Sequence, residues 1–174
     1  MPQIIDQKCG GHRLKVLVIS DTHGNIDRLQ AILNSTGPYD AVFHCGDIEG
    51  QEHTIQEYAD CPTYMVSGNN DWDSSLPADL NVTIDDYRFW VCHGHRYGVS
   101  LSPSAIREEA ESRNVDVCLF GHTHKPYLET SRGLTLMNPG SLNYPRQIGR
   151  KPTFGVIEID RHHDIHFAIK ELDD

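Results

Sequence analysis

From Leu14 to Ser20 the chain reads LKVLVIS, a β-branched apolar run that predicts a buried strand. Turn residues follow. Asn25 is placed to cap a helix through about Asn34, in which Ile26, Leu29, Ile32 and Leu33 share one face. Gly37-Pro38 stops that helix, and Asp40–Cys45 (DAVFHC) predicts a second buried strand. A short polar helix fits Glu52–Ala59, and Thr63–Ser67 (TYMVS) a third strand. The pattern then changes. Val82–Ile84 and Arg88–Cys92 predict two strands joined at Asp85-Asp86, a hairpin signal. Ser104–Arg113 predicts a helix with Pro103 near its start, and Val115–Phe120 (VDVCLF) another buried strand. Leu134–Met137, Phe154–Ile159 and Ile165–Ile169 complete a strand-rich C-terminal third.

The order is β-α-β-α-β, then mostly β. Crossover helices make the early strands parallel, and later hairpins add antiparallel ones. That much strand calls for two sheets packed together with helices outside, an α/β class in four layers. No repeat or low-complexity linker divides the chain, so 14–174 reads as one domain behind a mixed, polar N-terminal extension over 1–13.

Five segments of metal-ligand type each follow an apolar strand-like run: Asp21-Thr22-His23, Gly46-Asp47, Gly68-Asn69-Asn70-Asp71, His93-Gly94-His95 and Gly121-His122-Thr123-His124. Singly, each has an ordinary reading as a turn or a helix cap. Together they supply carboxylate, imidazole and amide ligands for two metal ions sharing one carboxylate, the apparatus for hydrolysing a phosphate ester. Asp21 and His23 lie two residues apart, which in extended chain turns both side chains the same way. Asp47 could bridge two ions, and Asn69 offers a hard neutral oxygen. His122 and His124 repeat the i, i+2 spacing directly after a hydrophobic strand. In α/β architectures the C-terminal edge of the strands is where ligands bind.

Charge narrows the field. The formal net charge is −10, with 25 acidic against 15 basic residues, which argues against a general binder of long nucleic acid. It does not oppose a bimetallic site, because bound divalent ions make the local potential positive. No apolar stretch reaches membrane-spanning length, and residues 1–12 lack the apolar centre of a secretory signal. A cytoplasmic address follows by default. Cys9, Cys45, Cys61, Cys92 and Cys118 contain no C-x-x-C pair, and Cys45, Cys92 and Cys118 sit in strand-like runs, as buried free thiols do.

The ordered set D-x-H, G-D, G-N-x-D, H-G-H and G-H-T-H, followed by Asn138-Pro139-Gly140-Ser141, resembles the calcineurin-like metallophosphoesterases, most of all their small single-domain bacterial and archaeal phosphodiesterase branch. The resemblance runs from about Leu14 to Ile159. It implies a sandwich of two mixed β-sheets flanked by helices, with a dinuclear centre at the strand ends. By that resemblance Asp21, His23 and His124 hold one metal, Asn69, His93 and His122 the other, and Asp47 bridges them. Asp47, Asn69 and His95 are the candidate catalytic residues. His95 and His44 are candidates to orient a ligand or water. Arg146 could reach a substrate phosphate, and reads equally well as a surface arginine. The resemblance favours Mn²⁺, while nitrogen and oxygen ligands suit Fe²⁺, Co²⁺, Ni²⁺ or Zn²⁺ as well.

One departure bears on the substrate. Many members of the family carry a histidine after the G-N pair, where this chain has Asn70. An amide cannot act as a general acid. The expected activity is therefore a metal-dependent phosphodiesterase on a small or nucleotide-like diester, working through a metal-bridging hydroxide. Two alternatives stand beside it. One is a phosphomonoesterase or nucleotidase, which Asn70 disfavours. The other is a non-catalytic protein-binding scaffold like the related subunit of the eukaryotic retromer coat, which the intact His23 disfavours. A homo-oligomer is open to exposed strands.

Overall fold

The computed structural model describes residues 13–173. Apart from Arg13, the extension read over 1–13 lies outside the described residues, as does Cys9.

Ten strands and three α-helices follow the predicted order with one addition. They are β1 (Leu14–Ile19), α1 (Asp27–Thr36), β2 (Ala41–His44), α2 (Glu52–Ala59), β3 (Thr63–Met65), β4 (Asp79–Ile84), β5 (Tyr87–Cys92), α3 (Ser104–Ser112), β6 (Val117–Leu119), β7 (Pro126–Ser131), β8 (Leu134–Pro139), β9 (Thr153–Ile159) and β10 (Ile165–Glu171). A 3₁₀ turn, His95–Tyr97, follows β5. Strand β7 is the addition. It opens on a proline and presents three consecutive exposed residues, so it has neither the apolar run nor the alternation that marks a strand. Asn25 sits one residue before the helix cap at Ile26, and its Oδ1 accepts from the Asp27 N–H at 2.9 Å.

The strands form two five-stranded sheets, ordered β10-β9-β1-β2-β3 and β4-β5-β6-β8-β7. Both are mixed. In the first, β1, β2 and β3 run parallel and β9 and β10 antiparallel. In the second, β5, β6 and β8 run parallel between antiparallel edge partners β4 and β7. The second sheet is mixed as expected, its antiparallel pairs flanking a parallel trio. Helix α3 makes a crossover from β5 to β6, and β7 is displaced to the edge.

Alternation along each central strand sorts its side chains between two apolar layers. Val16, Val18, Phe43, Phe89, Val91, Leu119, Met137 and Ile157 fill the space between the sheets. The Phe43 and Phe89 rings stack with centroids 5.5 Å apart, worth about 0.5–1.5 kcal/mol beyond their burial. The other face of the first sheet, with Leu17, Ile19 and Val42, packs under α1 and α2 through Leu29, Ile32 and Ile55. The other face of the second, with Trp90, Cys118 and Leu136, packs under α3 through Ile106 and Ala110. The layers are thus helix, sheet, sheet, helix. Cys45, Cys61, Cys92 and Cys118 are free thiols. Among the described residues no helix is long and apolar enough to cross a membrane.

Candidate metal centre

The five predicted segments are the loops that leave β1, β2, β3, β5 and β6. All seven predicted ligands converge at one point on this edge. His124 Nε2 lies 3.2 Å from both His23 Nε2 and Asp21 Oδ1. His93 Nε2 lies 3.0 Å from Asn69 Oδ1 and 3.4 Å from Asp47 Oδ2. His122 Nδ1 is 2.8 Å from the same Asn69 oxygen. Asp47 Oδ2 is also 3.9 Å from His23 Nε2, so its carboxylate stands between the two groups. Asp21, His23, Asp47 and His124 each offer one ligand atom within 4.8 Å of the others.

The hydrogen-bond partners fix which atoms point inward. His93 donates Nδ1–H to the Cys45 carbonyl at 2.7 Å, and His124 donates Nδ1–H to the Tyr144 carbonyl at 2.7 Å. His23 donates Nδ1–H to Glu49 Oε1 at 2.7 Å. With Nδ1–H so engaged, each ring turns Nε2 towards carboxylate, amide or imidazole atoms, and as a metal ligand it would present its Nε2 lone pair there. Electron pairs facing at about 3 Å in a buried site are repulsive unless a proton or a cation lies between them. Asp21 makes the same point: it is fully buried, and its Oδ1 has no hydrogen bond. The donor set, nitrogen and oxygen with no thiolate, fits divalent cations.

Electrostatics agree. Burial works against ionisation of Asp47, but the adjoining His93 and the hydrogen bonds from Asn70 outweigh it and hold the carboxyl well below the usual range. Burial likewise opposes charge on His93, but Asp47 and Asp21 raise its pKa. Burial and the neighbouring His93 lower both His122 and His95.

The loops are held by main-chain bonds. Asp71 accepts four backbone N–H groups, from Asp47 (2.8 Å), Ile48 (2.9 Å), Glu49 (2.7 Å) and Gly68 (2.7 Å). Fully buried His44 accepts from the Gly46 N–H at 3.2 Å, so its Nε2–H donates to Thr22 Oγ1 at 2.9 Å, tying the first loop to the second. Burial lowers its pKa to about 4 despite the nearby carboxylates of Asp21 and Asp71. Ser141 Oγ donates to the Asp21 carbonyl, and Asn138 Nδ2 to that of Gly121. Gly68 and Gly121 are required by close approach: a Cβ on Gly68 would collide with Asp47, and one on Gly121 with Ser20. Six other residues of these loops, Asp21, His23, Asp47, Glu49, His122 and His124, hold φ between 46° and 70°. Left-handed backbone at non-glycine residues is uncommon and clusters at functional sites.

Of the remaining predicted residues, His95 stands beside the ligand set, its ring centroid 5.4 Å from His93 and 6.1 Å from His122. Asn70 is exposed, yet its amide is engaged. Its Nδ2 donates to Asp47 Oδ2 at 2.7 Å and its backbone N–H to Asp47 Oδ1 at 2.8 Å. Arg146 lines a cavity beside His23 and His124. Asp71, Glu49 and Tyr144 were missed as contributors. Only Asp71 had a sequence signal, as the last residue of G-N-x-D.

A four-layer sandwich with a histidine and carboxylate cluster at the joined strand ends defines a metallophosphoesterase. Residues 14–162 match the calcineurin-like phosphoesterase superfamily domain, and the chain belongs to that family. It is similar to YsnB of Bacillus subtilis, named a probable metallophosphoesterase: 31% identical over 150 residues, covering 84% of this chain and 85% of that protein. It is also similar to the phosphodiesterase MJ0936 of Methanocaldococcus jannaschii, 27% identical over 168 residues, with 85% and 95% covered. Among solved structures, Vps29 of Entamoeba histolytica in complex with Zn²⁺ shares the fold at a TM-score of 0.71 and 22% identity, with 91% and 99% covered.

Proposed function

We propose that this protein is a dinuclear-metal-dependent phosphodiesterase. Asp21, His23 and His124 hold one ion, Asn69, His93 and His122 the other, and Asp47 reaches both. The observation that carries this reading is the set of inward lone pairs on His23, His93 and His124, each fixed by an Nδ1–H bond to an oxygen outside the cluster. Two divalent ions, Mn²⁺ favoured, would lower the pKa of a shared water and neutralise phosphoryl charge. The protein's own part is positioning. Asn70 holds both Asp47 oxygens and His44 stays neutral between two ligand loops. His95 lies where it can hydrogen bond to bound substrate.

Asn70 supports diester over monoester substrates. Its amide is committed to Asp47 and cannot protonate a leaving group. The test combines metal analysis of the purified protein with kcat/KM for bis-p-nitrophenyl phosphate and p-nitrophenyl phosphate. Two equivalents of metal and preference for the diester are expected, with Asp47→Asn and His122→Ala folded but inactive. A single equivalent, a faster monoester, or near-wild-type turnover by either variant at saturating Mn²⁺ would overturn the assignment.

A further inference from the structure

A cavity of about 810 Å³ beside the candidate centre is lined by His23 and His124 and by three arginines, Arg28, Arg146 and Arg150. Its one carboxylate, Glu49, is occupied by His23. A second cavity, also lined by Glu49, holds Glu52, Asp71, Asp73 and Trp72 and, among the described residues, no cation. In a chain of net charge −10, ten positive charges short of neutral, this places three arginines in one hollow and a carboxylate cluster in the next.

Arg146 and Arg150 sit on a braced loop between β8 and β9, and Arg28 on α1. Arg146 N–H donates to the His124 carbonyl at 3.0 Å, and the Tyr144 carbonyl accepts from His124 Nδ1–H. Asn143 Nδ2 donates to the carbonyls of Thr22 (2.6 Å) and Asn25 (2.7 Å), and Arg28 Nη1 to that of Leu142 (2.6 Å). The loop is thereby fixed to both D-x-H and G-H-T-H, so the guanidinium stems start from a set position relative to the ligands. Tyr144 closes the cavity with an exposed ring set edge-on to His23, centroids 5.2 Å apart. Planar, permanently charged guanidinium forks match phosphate oxygens bidentately.

We propose that this cavity binds a second phosphate of the substrate, so that the preferred ester carries a phosphate besides the one hydrolysed. Phosphorylated nucleotides and other small bisphosphates are the class. The inference rests on the phosphodiesterase reading of the adjoining centre.

Two substrates with the same scissile bond test it: thymidine 5′-(p-nitrophenyl phosphate) and its 3′-phosphorylated counterpart. Both release p-nitrophenolate. The Mn²⁺-loaded wild type should favour the bisphosphate by about tenfold or more in kcat/KM, the worth of one charge-assisted contact. Arg146→Ala and Arg150→Ala should each shrink that ratio, and the double variant should bring it near one. Calorimetric binding of thymidine 3′,5′-bisphosphate against thymidine 5′-phosphate reads the same preference without turnover. If neither ester is cleaved but the bisphosphate still binds more tightly in wild type and not in the double variant, the cavity stands and the catalytic reading falls. Equal kcat/KM and equal binding in wild type would overturn the inference. So would a ten-nucleotide single strand that inhibits far better than the bisphosphate, since the occupant would then be a polymer.

Discussion

Asp71→Asn isolates what holds the ligand loops. Each carboxylate oxygen serves two main-chain donors, Oδ1 those of Ile48 and Glu49, Oδ2 those of Asp47 and Gly68. The amide can turn either way, and in both orientations its NH₂ meets two N–H groups that have lost their acceptor. The surviving pair loses its charge. A hydrogen bond to a charged group is worth about 1.5–3 kcal/mol, so two lost bonds amount to about 3–6 kcal/mol. That is a large share of the roughly 5–15 kcal/mol that holds a domain together. Urea unfolding in EDTA should show the midpoint falling by about 1.5–3 M, for a slope of about 2 kcal/mol per molar. The loops carrying Asp47 and Asn69 also lose their common anchor, so turnover at saturating Mn²⁺ should fall at least tenfold even well below the unfolding temperature. Asp73→Asn, an exposed neighbour, should stay within about 0.5 kcal/mol of wild type. An Asp71→Asn protein as stable as the Asp73 control, with turnover within twofold of wild type, would refute the account.

His44 gives a pH dependence. Burial keeps it neutral in the fold until about pH 4, whereas the unfolded chain takes up the proton near 6.5. Its contribution is therefore full above pH 6.5 and is lost as pH falls to about 4, a change of roughly 3 kcal/mol. In EDTA, His44→Gln should lose less stability than wild type over that window, and parallel urea profiles for the two would refute this. For Asn70→His, diester-to-monoester ratios in kcat/KM should fall, by no more than the 10²–10⁴-fold that a positioned acid typically supplies. An unchanged ratio would mean that residue 70 acts only by holding Asp47.

Much of the site was legible because its residues come at strand ends, and strand ends are visible as the point where an apolar run stops. Asp21, Asp47, His93 and His122 all follow such runs. What holds the site was not legible. Asp71 in Gly-Asn-Asn-Asp reads as one more turn former, since its four donors come from residues three and more than twenty positions away. His44 reads as a residue able to orient a ligand or water, but its full burial and its link between two loops leave no local signal. Ser141 reads as the end of a turn and Asn143 has no reading at all, because nothing local shows that they reach Asp21, Thr22 and Asn25 across more than a hundred residues. Strand β7 was invisible for a different reason: paired only with β8, it buries too little to leave a pattern.

The division of labour between ligands and braces follows from the backbone. Six loop residues in the left-handed region, five of them candidate ligands, cost of order 1 kcal/mol each, and the ligand side chains add repulsion between lone pairs. Neither could persist on local preference. The opposing bonds come from residues that are not ligands: Asp71 on the second and third loops, His44 on the first and second, Asn138 on the fifth, Ser141 and Asn143 on the first. Each runs from a side chain to main chain or to a neighbouring hydroxyl and joins segments distant in sequence. The inward nitrogen and oxygen atoms are thereby released from structural duty. A change at a ligand should strike chemistry first, whereas a change at a brace should strike stability and chemistry together. The two kinds of residue are distinguishable by experiment even where, as with Asp47 and Asp71, they are carboxylates joined directly, the Asp47 N–H donating to Asp71 Oδ2.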